Sequence, residues 1–290
     1  MQKTIITKMS DEEYFGIKGM VNASTLKQLY RKSPKHYQAS LDFPEPDPRV
    51  FVTGSAIHCM VLEGDEFKDR YCVMPEFEPT EVDKKTGEVK PKTAGWKNTK
   101  DYKQQKAIWC TKNKDKIALE PEEMEMTTNI AHAVVRSPYY PLIRDNATEV
   151  TILSHIRGVD SKAKVDLLID HGDEIMIVDL KTTQDASETA FTKSVFNYDY
   201  DLQAAWYKES LLGIPGNEHK NIRFAFLAVE KNPPFSVCFY EATDEVLQNG
   251  RAKCSKALAN YKSWEALGDA VGYPAEEAIV GIKVPSWGRA

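Results

Sequence analysis

The chain has 290 residues, 42% apolar, 28% charged and 10% aromatic, with a net charge of -5. That length supports one large buried core or two ordinary ones, and the aromatic content excludes a mainly disordered chain. The acidic balance speaks against a protein that coats nucleic acid by general phosphate neutralisation, but leaves room for nucleic-acid contacts confined to one basic face. No apolar run reaches the roughly 18 residues of a membrane span, and MQKTIITKMSDEEYF lacks the apolar stretch of a signal peptide. Cys59, Cys72, Cys110, Cys238 and Cys254 form no CxxC pair. That pattern suits reduced thiols in a cytoplasmic protein and argues against a zinc ribbon or a four-cysteine iron–sulfur site.

Residues 1–20 are polar and are expected to be partly mobile until packed. Asn22 or Ser24 caps a helix through TLKQLYR that ends near Ser33–Pro34. The prolines of SLDFPEPDPRV, residues 40–50, predict a rigid, non-helical connection. From Thr53, TGSAIHCMVLEGDEFKDR predicts a second helix, in which Gly54, Ser55 and Ala56 allow close approach to a neighbour. A strand-like YCVM follows, and VDKKTGEV reads as an exposed hairpin or a disordered loop. The stretch Trp96–Lys116 is Lys-rich, with interleaved aromatics, and reads as helix. Another helix begins at Glu120–Pro121 and stops at Pro138.

The character changes after Asn146. TEVTILSHI, AKVDLLID and EIMIVDLKT are β-rich runs separated by RGVDSK and HGD, so a meander of antiparallel strands is the economical reading. YDYDLQAAWYKESLLG is a helix ending near Gly213, while NIRFAFLAVEK and PFSVCFYEA are strands. TDEVLQNGRAKCSKALANYKSWEAL is the last helix before a tail over 268–290. The expected class is α/β: a mixed central sheet flanked by helices over 146–265, an N-terminal helical lobe over 1–145, and one cooperative unit.

The second and third strands of the meander carry the chemistry. Side chains alternate along a strand, so Asp179 and Lys181 share a face with Ile175 and Ile177, and the run switches from apolar to charged at its end. If HGDE is the turn, Asp166 of the preceding strand comes beside Asp179, although sequence does not fix the register. Carboxylates are hard ligands for Mg²⁺ or Mn²⁺, and a neighbouring ammonium can orient water or steady charge growing on a phosphate. The backbone carbonyl of Leu180 offers a further ligand. The plainer reading is a surface salt bridge between Asp179 and Lys181, since a lone D-x-K is common. Lys97, Lys100, Lys103 and Lys106 recur every three residues among aromatics. They make either a stripe that tracks a DNA backbone or a solvated face. Thr182 and Thr183 could donate to a phosphate, and strand propensity explains them equally well. His155 and His171 lie by turns and read as ordinary surface residues.

An acidic residue on one strand followed by [D/E]-x-K on the next resembles the PD-(D/E)XK nuclease superfamily. More narrowly, the order of NASTLKQLYRKSPKHYQA, GSAIHCMVLE, TEVTI, KAKVDLLID, VDLKTT and YDLQAAWY resembles the RecE-type exodeoxyribonuclease VIII family of phage and prophage recombination exonucleases. The resemblance spans most of the chain and is poorest over 74–118. It implies metal ligation by His58, Asp166 and Asp179, with Glu149 at an acidic position of the preceding strand. Lys181 matches the motif lysine, and Gln203 and Tyr207 match polar residues of the following helix. Where the family has an Arg-Pro-Asp-like run, this chain has Lys164–Val165–Asp166, which keeps the ligand and lacks the proline. From the residues alone, His58 also fits a satisfied core or surface histidine. Glu149 fits a pair with Lys164, Tyr207 packing on the sheet, and Gln203 capping a strand edge.

The resemblance further implies a Mg²⁺-dependent exonuclease, with Mn²⁺ as a substitute. Its substrate would be linear double-stranded DNA ends, digested 5′→3′ to expose a 3′ strand. A single-strand annealing protein would be its partner, and a homo-oligomeric ring such as a tetramer its working form in the cytoplasm of a bacterial host. The alternatives are an endonuclease or repair nuclease of the same superfamily, a non-catalytic DNA-binding or assembly protein, and a small-molecule hydrolase.

Overall fold

The computed structural model describes residues 4–6, 9–43, 49–75, 77, 80–82, 89–91, 100–267, 271–273, 279 and 281–282. In chain order the elements are β1 (Thr4–Ile6), α1 (Asp11–Gly16), α2 (Ala23–Arg31), α3 (Pro34–Asp42), α4 (Arg49–Leu62), α5 (Phe67–Arg70), β2 (Tyr71–Val73), β3 (Thr80–Val82) and β4 (Val89–Pro91). Next come α6 (Lys100–Lys112), β5 (Ile117–Leu119), α7 (Pro121–Arg136), α8 (Tyr140–Arg144), β6 (Ala147–Ile156), β7 (Val159–Asp170) and β8 (Glu174–Thr183). The last are α9 (Glu188–Asn197), α10 (Tyr200–Leu212), β9 (Asn221–Glu230), β10 (Val237–Glu241) and α11 (Asp244–Leu267). The chain divides into two compact units, 1–47 with 141–228 and 238–290, and 48–140 with 229–237.

The first unit is built on a mixed sheet of order β1-β6-β7-β8-β9-β10. The expected meander is present, with β6–β7 and β7–β8 antiparallel. Its first turn is tighter than RGVDSK suggested. Arg157 and Gly158 alone link the Ile156–Val159 pair, both at positive φ (50° and 78°), the twist a two-residue hairpin requires. One face of the sheet packs Val150, Ile152, Val165, Ile175 and Ile177 against Phe191 of α9 and Ala204 and Leu211 of α10. The opposite side of α10, through Leu202, Ala205 and Trp206, meets Leu26 and Leu29 of α2 and Cys254, Ala257 and Leu258 of α11. A helix apolar around most of its circumference is one packed on both sides. At α11 the approach is so close that Gly250 has no room for a side chain: a Cβ there would lie 1.9 Å from the Asp201 carbonyl oxygen.

Several elements differ from expectation. Residues 9–22 are folded onto the sheet. Val21 donates to Asp160 O (2.8 Å) and accepts from Lys162 N (3.0 Å). The buried Lys162 ammonium reaches the carbonyls of Tyr14 and Ile17, both at 2.8 Å. Pro34 begins α3, where its missing N–H costs nothing, so helix reaches Asp42 and resumes at Arg49, inside the stretch expected to be non-helical. The helix α9 was not anticipated. Residues 96–99, 83–88 and most of the tail lie outside the described residues.

In the second unit α4 packs on α7, and Ala56 and Cys59 join Phe67, Tyr71 and Leu119 in a small core. Gly54 does not mark a close approach, since a Cβ there would meet nothing within 4 Å; Ala56, fully buried, does that packing. The helix expected from Thr53 to Arg70 breaks after Leu62 and resumes as a 3₁₀ turn at Gly64–Glu66 and α5. The strands β3 and β4 pair antiparallel, the flanks of the expected hairpin. No helix among the described residues is long and apolar enough to cross a membrane.

Gly250 supplies a test. Alanine is the better helix former by about 1 kcal/mol in isolation. The clash with the α10 backbone is nevertheless expected to make Gly250→Ala less stable by about 1–3 kcal/mol, read from urea unfolding. A gain in stability would mean the two helices can slide apart.

Candidate metal centre

The centre grows from one level of the sheet. The ladder pairs Thr148 with Leu167 and Val150 with Val165, which places Glu149 opposite Asp166. On the other side it pairs Leu167 with Val178, so the next position of the same register sets Asp166 opposite Asp179. Neither of these rungs is part of the regular ladder. Glu149 adopts a left-handed backbone (φ 53°), a conformation uncommon for residues other than glycine and one that re-aims its side chain. The Asp166 carboxylate takes the Leu180 N–H at 2.6 Å, in place of a backbone carbonyl. Carboxylate oxygens of Glu149 and Asp166 come within 4.8 Å of each other. The register that sequence left open therefore gathers three acidic residues from three strands.

Asp179 is only 1% exposed, and a buried carboxylate keeps its charge only if donors meet it. Gln203 Nε2 donates to its Oδ1 at 2.6 Å, and Lys181 forms an ion pair with the other oxygen. Burial alone would pull the Lys181 ammonium down, but the charges of Asp179 and Asp166 hold it above its ordinary value. Its Nζ lies 4.9 Å from the centre of the Tyr200 ring. Glu149 pairs with Lys164 at 2.9 Å, and Lys164 also reaches Asp11 at 2.7 Å. Glu149 is thus a carboxylate beside Asp166 that is also partnered by Lys164.

Lys27 was not anticipated. It donates to Gln203 Oε1 at 2.9 Å and lies 5.0 Å from the centre of the same Tyr200 ring. An ammonium only donates, so the amide oxygen must face Lys27 and the NH₂ must face Asp179. Burial, reinforced by the Lys181 charge, pushes Lys27 down to about 7, although Asp179 and Asp199 oppose the shift. Tyr200 precedes Gln203 by three residues and so shares its helix face, the one signal in the sequence that could have found it. The turn before α10 is clamped as well. Asp199 pairs with Arg31 and with Lys253 (2.7 Å), and Lys253 also reaches Asp201 (2.9 Å).

Tyr207 is half-buried, packs against both cores of the unit, and lies 6.5 Å from the Phe224 ring. Burial, followed by the neighbouring Tyr14 and the charges of Asp179 and Asp166, raises its phenol well above the ordinary value. It therefore stays protonated. Leu180 is buried in the core, and its N–H is spent on Asp166. Thr183 Oγ1 donates to Asp185 O at 3.1 Å and so holds the turn after β8, while Thr182 is half-buried at the strand end. In the second unit, Lys100 and Lys103 are exposed on α6, Lys106 is half-buried, and Lys97 lies outside the described residues. His58 is half-buried on α4 of that unit. The convergent carboxylate oxygens of Glu149 and Asp166 fit a hard divalent cation.

A family match covers residues 22–270, to the PDDEXK-like domain of unknown function DUF3799. The chain belongs to this family. No curated protein matches the sequence. Among solved structures, this PDDEXK-like chain is similar to one from Eubacterium rectale provisionally described as an exonuclease. The TM-score is 0.59 and the identity 17%, over 97% of this chain and 96% of the other. At that identity the likeness concerns the fold alone. A second structure, SSO0001, is matched over 59% of this chain and 69% of its own, at 12% identity and a TM-score of 0.29, and carries no argument.

The lowered ammonium of Lys27 makes a signed prediction. A lysine whose folded value (about 7) lies below its ordinary 10.5 costs stability as pH falls below 10.5, and costs most below 7. Lys27→Met, in EDTA, is therefore expected to melt higher than the parent at pH 6, with the gap closing by pH 10. A lower melting temperature at pH 6 would mean that the hydrogen bond to Gln203 outweighs desolvation.

Proposed function

We propose that this chain is a divalent-metal-dependent deoxyribonuclease acting as an exonuclease on the ends of linear double-stranded DNA. The observation that carries this reading is the single level of the sheet holding Glu149, Asp166 and Asp179, with Lys181 paired to the last of them. Asp166, Asp179 and Glu149 would hold the cation, Mg²⁺ with Mn²⁺ as a substitute, and the RecE-type resemblance adds His58 to the ligand set. The bound ion supplies Lewis-acid polarisation of the phosphate and a more acidic water. Lys181 is fixed by Asp179 and Tyr200, so its ammonium can orient the attacking water and steady charge developing on the phosphate oxygens. Gln203, oriented by Lys27, keeps Asp179 from rotating away from that task. The protonated Tyr207 supports the face of α10 that carries Gln203.

The finer features rest on the RecE-type resemblance. They are 5′→3′ polarity, a 3′ single strand handed to an annealing protein, a ring of copies such as a tetramer, and a phage or prophage origin with action in the host cytoplasm. The description of the Eubacterium rectale relative supports exonuclease over endonuclease action. Exposed Lys100 and Lys103, with Lys97, are the proposed DNA-tracking residues, and Thr182 a proposed phosphate donor.

The test is digestion of linear duplex labelled separately at its 5′ and 3′ ends, with Mg²⁺, Mn²⁺ or EDTA, beside a covalently closed circle. Early release of the 5′ label, an intact circle and silence in EDTA are expected. Lys181→Ala is expected to lose about 10²–10³-fold in rate, the scale of removing one preorganised electrostatic contact. Cutting of the circle would reassign the chain as an endonuclease, and binding without cleavage as a DNA-binding protein. Independently, Asp166→Asn is expected to weaken Mn²⁺ binding at least tenfold, measured by the electron paramagnetic resonance of the free ion. Unchanged affinity would remove Asp166 from the ligand set.

A further inference from the structure

The turn between α9 and α10 is rigid in its backbone and open in its side chains. Asp199 sits in the left-handed region (φ 49°) and is 3% exposed. Its carboxylate is held by Arg31 and Lys253, and Arg31 also donates to the carbonyl of Asn197. A strained residue held by that many partners keeps one conformation. Yet the rings flanking it face solvent: Phe196 is 41% exposed and Tyr198 58%. Scattered exposed aromatics need no explanation. Tyr198 differs because its ring is continuous with the metal centre, and Phe196 lies on the other flank of the same clamped turn. The Tyr198 ring lies 5.6 Å from that of Tyr200, tilted by 31°, and Tyr200 is the ring that carries Lys181. Cations border the same ledge. The Lys253 ammonium lies 5.8 Å from the Phe196 ring centre, and Arg31 is nearly half exposed beside Asp199.

Flat apolar faces held at low entropic cost, bordered by cations and leading to a phosphate-hydrolysing centre, match the chemistry of an unpaired nucleic-acid strand. Such a strand offers bases to stack and phosphates to neutralise. We propose that Phe196 and Tyr198 form a stacking platform for unpaired bases of the DNA strand that enters the centre at Lys181. The platform rests on the nuclease reading and names the part of the substrate that lies beside the scissile phosphate. Separating the terminal bases of a duplex exposes apolar faces to water, and a fixed aromatic ledge offers them a partner. Tyr198 is the better anchor of the two, being the more exposed and in ring contact with Tyr200.

The experiment uses the full chain carrying Asp166→Asn, so that DNA is bound but not cut, with an oligonucleotide bearing 2-aminopurine next to its end. Binding is followed by anisotropy of a label at the far end, and stacking by 2-aminopurine fluorescence. Binding is expected to quench the 2-aminopurine. Adding Tyr198→Ala should remove most of the quenching and weaken binding about tenfold, while Tyr198→Phe should restore both. With an abasic nucleotide in place of 2-aminopurine, Tyr198→Ala should bind as the parent does. Quenching that survives Tyr198→Ala, or an equal loss of affinity for the abasic strand, would overturn the platform. DNA bound without quenching would overturn the platform alone. Absence of both DNA binding and cleavage by the unsubstituted chain would overturn the nuclease reading and the platform with it.

Discussion

A single buried charge organises this molecule. Asp179 ends the apolar run of a central strand and is almost wholly withdrawn from water. Its carboxylate must be met by donors or give up its charge. Lys181 meets it from the same strand and Gln203 from α10. Gln203 can serve only with its amide turned one way, and Lys27 of α2 sets that orientation from 176 residues away. Lys181 and Lys27 flank one aromatic ring, Tyr200, which begins α10. The turn ahead of that ring is tied to α2 by Arg31 and to α11 by Lys253. The contacts that keep one acid ionised are thus the same contacts that dock three helices beside the sheet, and here fold and site are one network.

The backbone around this network departs from regular geometry in two places, Glu149 and Asp199, both non-glycine residues in the left-handed region. Each abuts a carboxylate of the candidate centre or its support. A regular strand at Glu149 would continue the ladder with Asp166 and use the space for a backbone pair. The departure frees both side chains to converge. Asp199 in turn lets α10 start directly under the sheet with Tyr200 and Gln203 facing the acids. Such conformations cost of order 1–3 kcal/mol each and persist where surrounding contacts over-determine them. At Asp199, Arg31 and Lys253 are those contacts.

How much of this was legible follows from the range of the interactions. Asp166, Asp179 and Lys181 stand out because a strand repeats every two residues, so a change from Ile175 and Ile177 to Asp179 on one face is visible locally. The three strands and their turns are legible for the same reason. The left-handed Glu149 is not, because nothing in ATEVTIL distinguishes it from a paired strand residue. Lys27 looks no different from its neighbours Arg31 and Lys32, since its role is fixed by a helix far along the chain. Pro34 was read as a terminator when it is equally a good first residue, and the short distance between α2 and α3 hid the second helix. In residues 9–22 the abundance of polar side chains concealed Tyr14 and Val21, both buried, and the hydrogen bonds that add Val21 to the edge of β7.

The first unit is assembled from three separated stretches of chain, 1–47, 141–228 and 238–290. Contacts of such long sequence separation carry a loop-closure cost that slows folding. During synthesis the three acids of the sheet level leave the ribosome before α11, which carries both Lys253 and the glycine that lets α10 seat. Lys27, made among the first residues, has no partner until α10 follows more than a hundred residues later. The order of synthesis therefore separates possession of the acidic motif from possession of an organised centre, and a chain cut short before α11 would carry every acid of the motif without the clamp that holds their support in place.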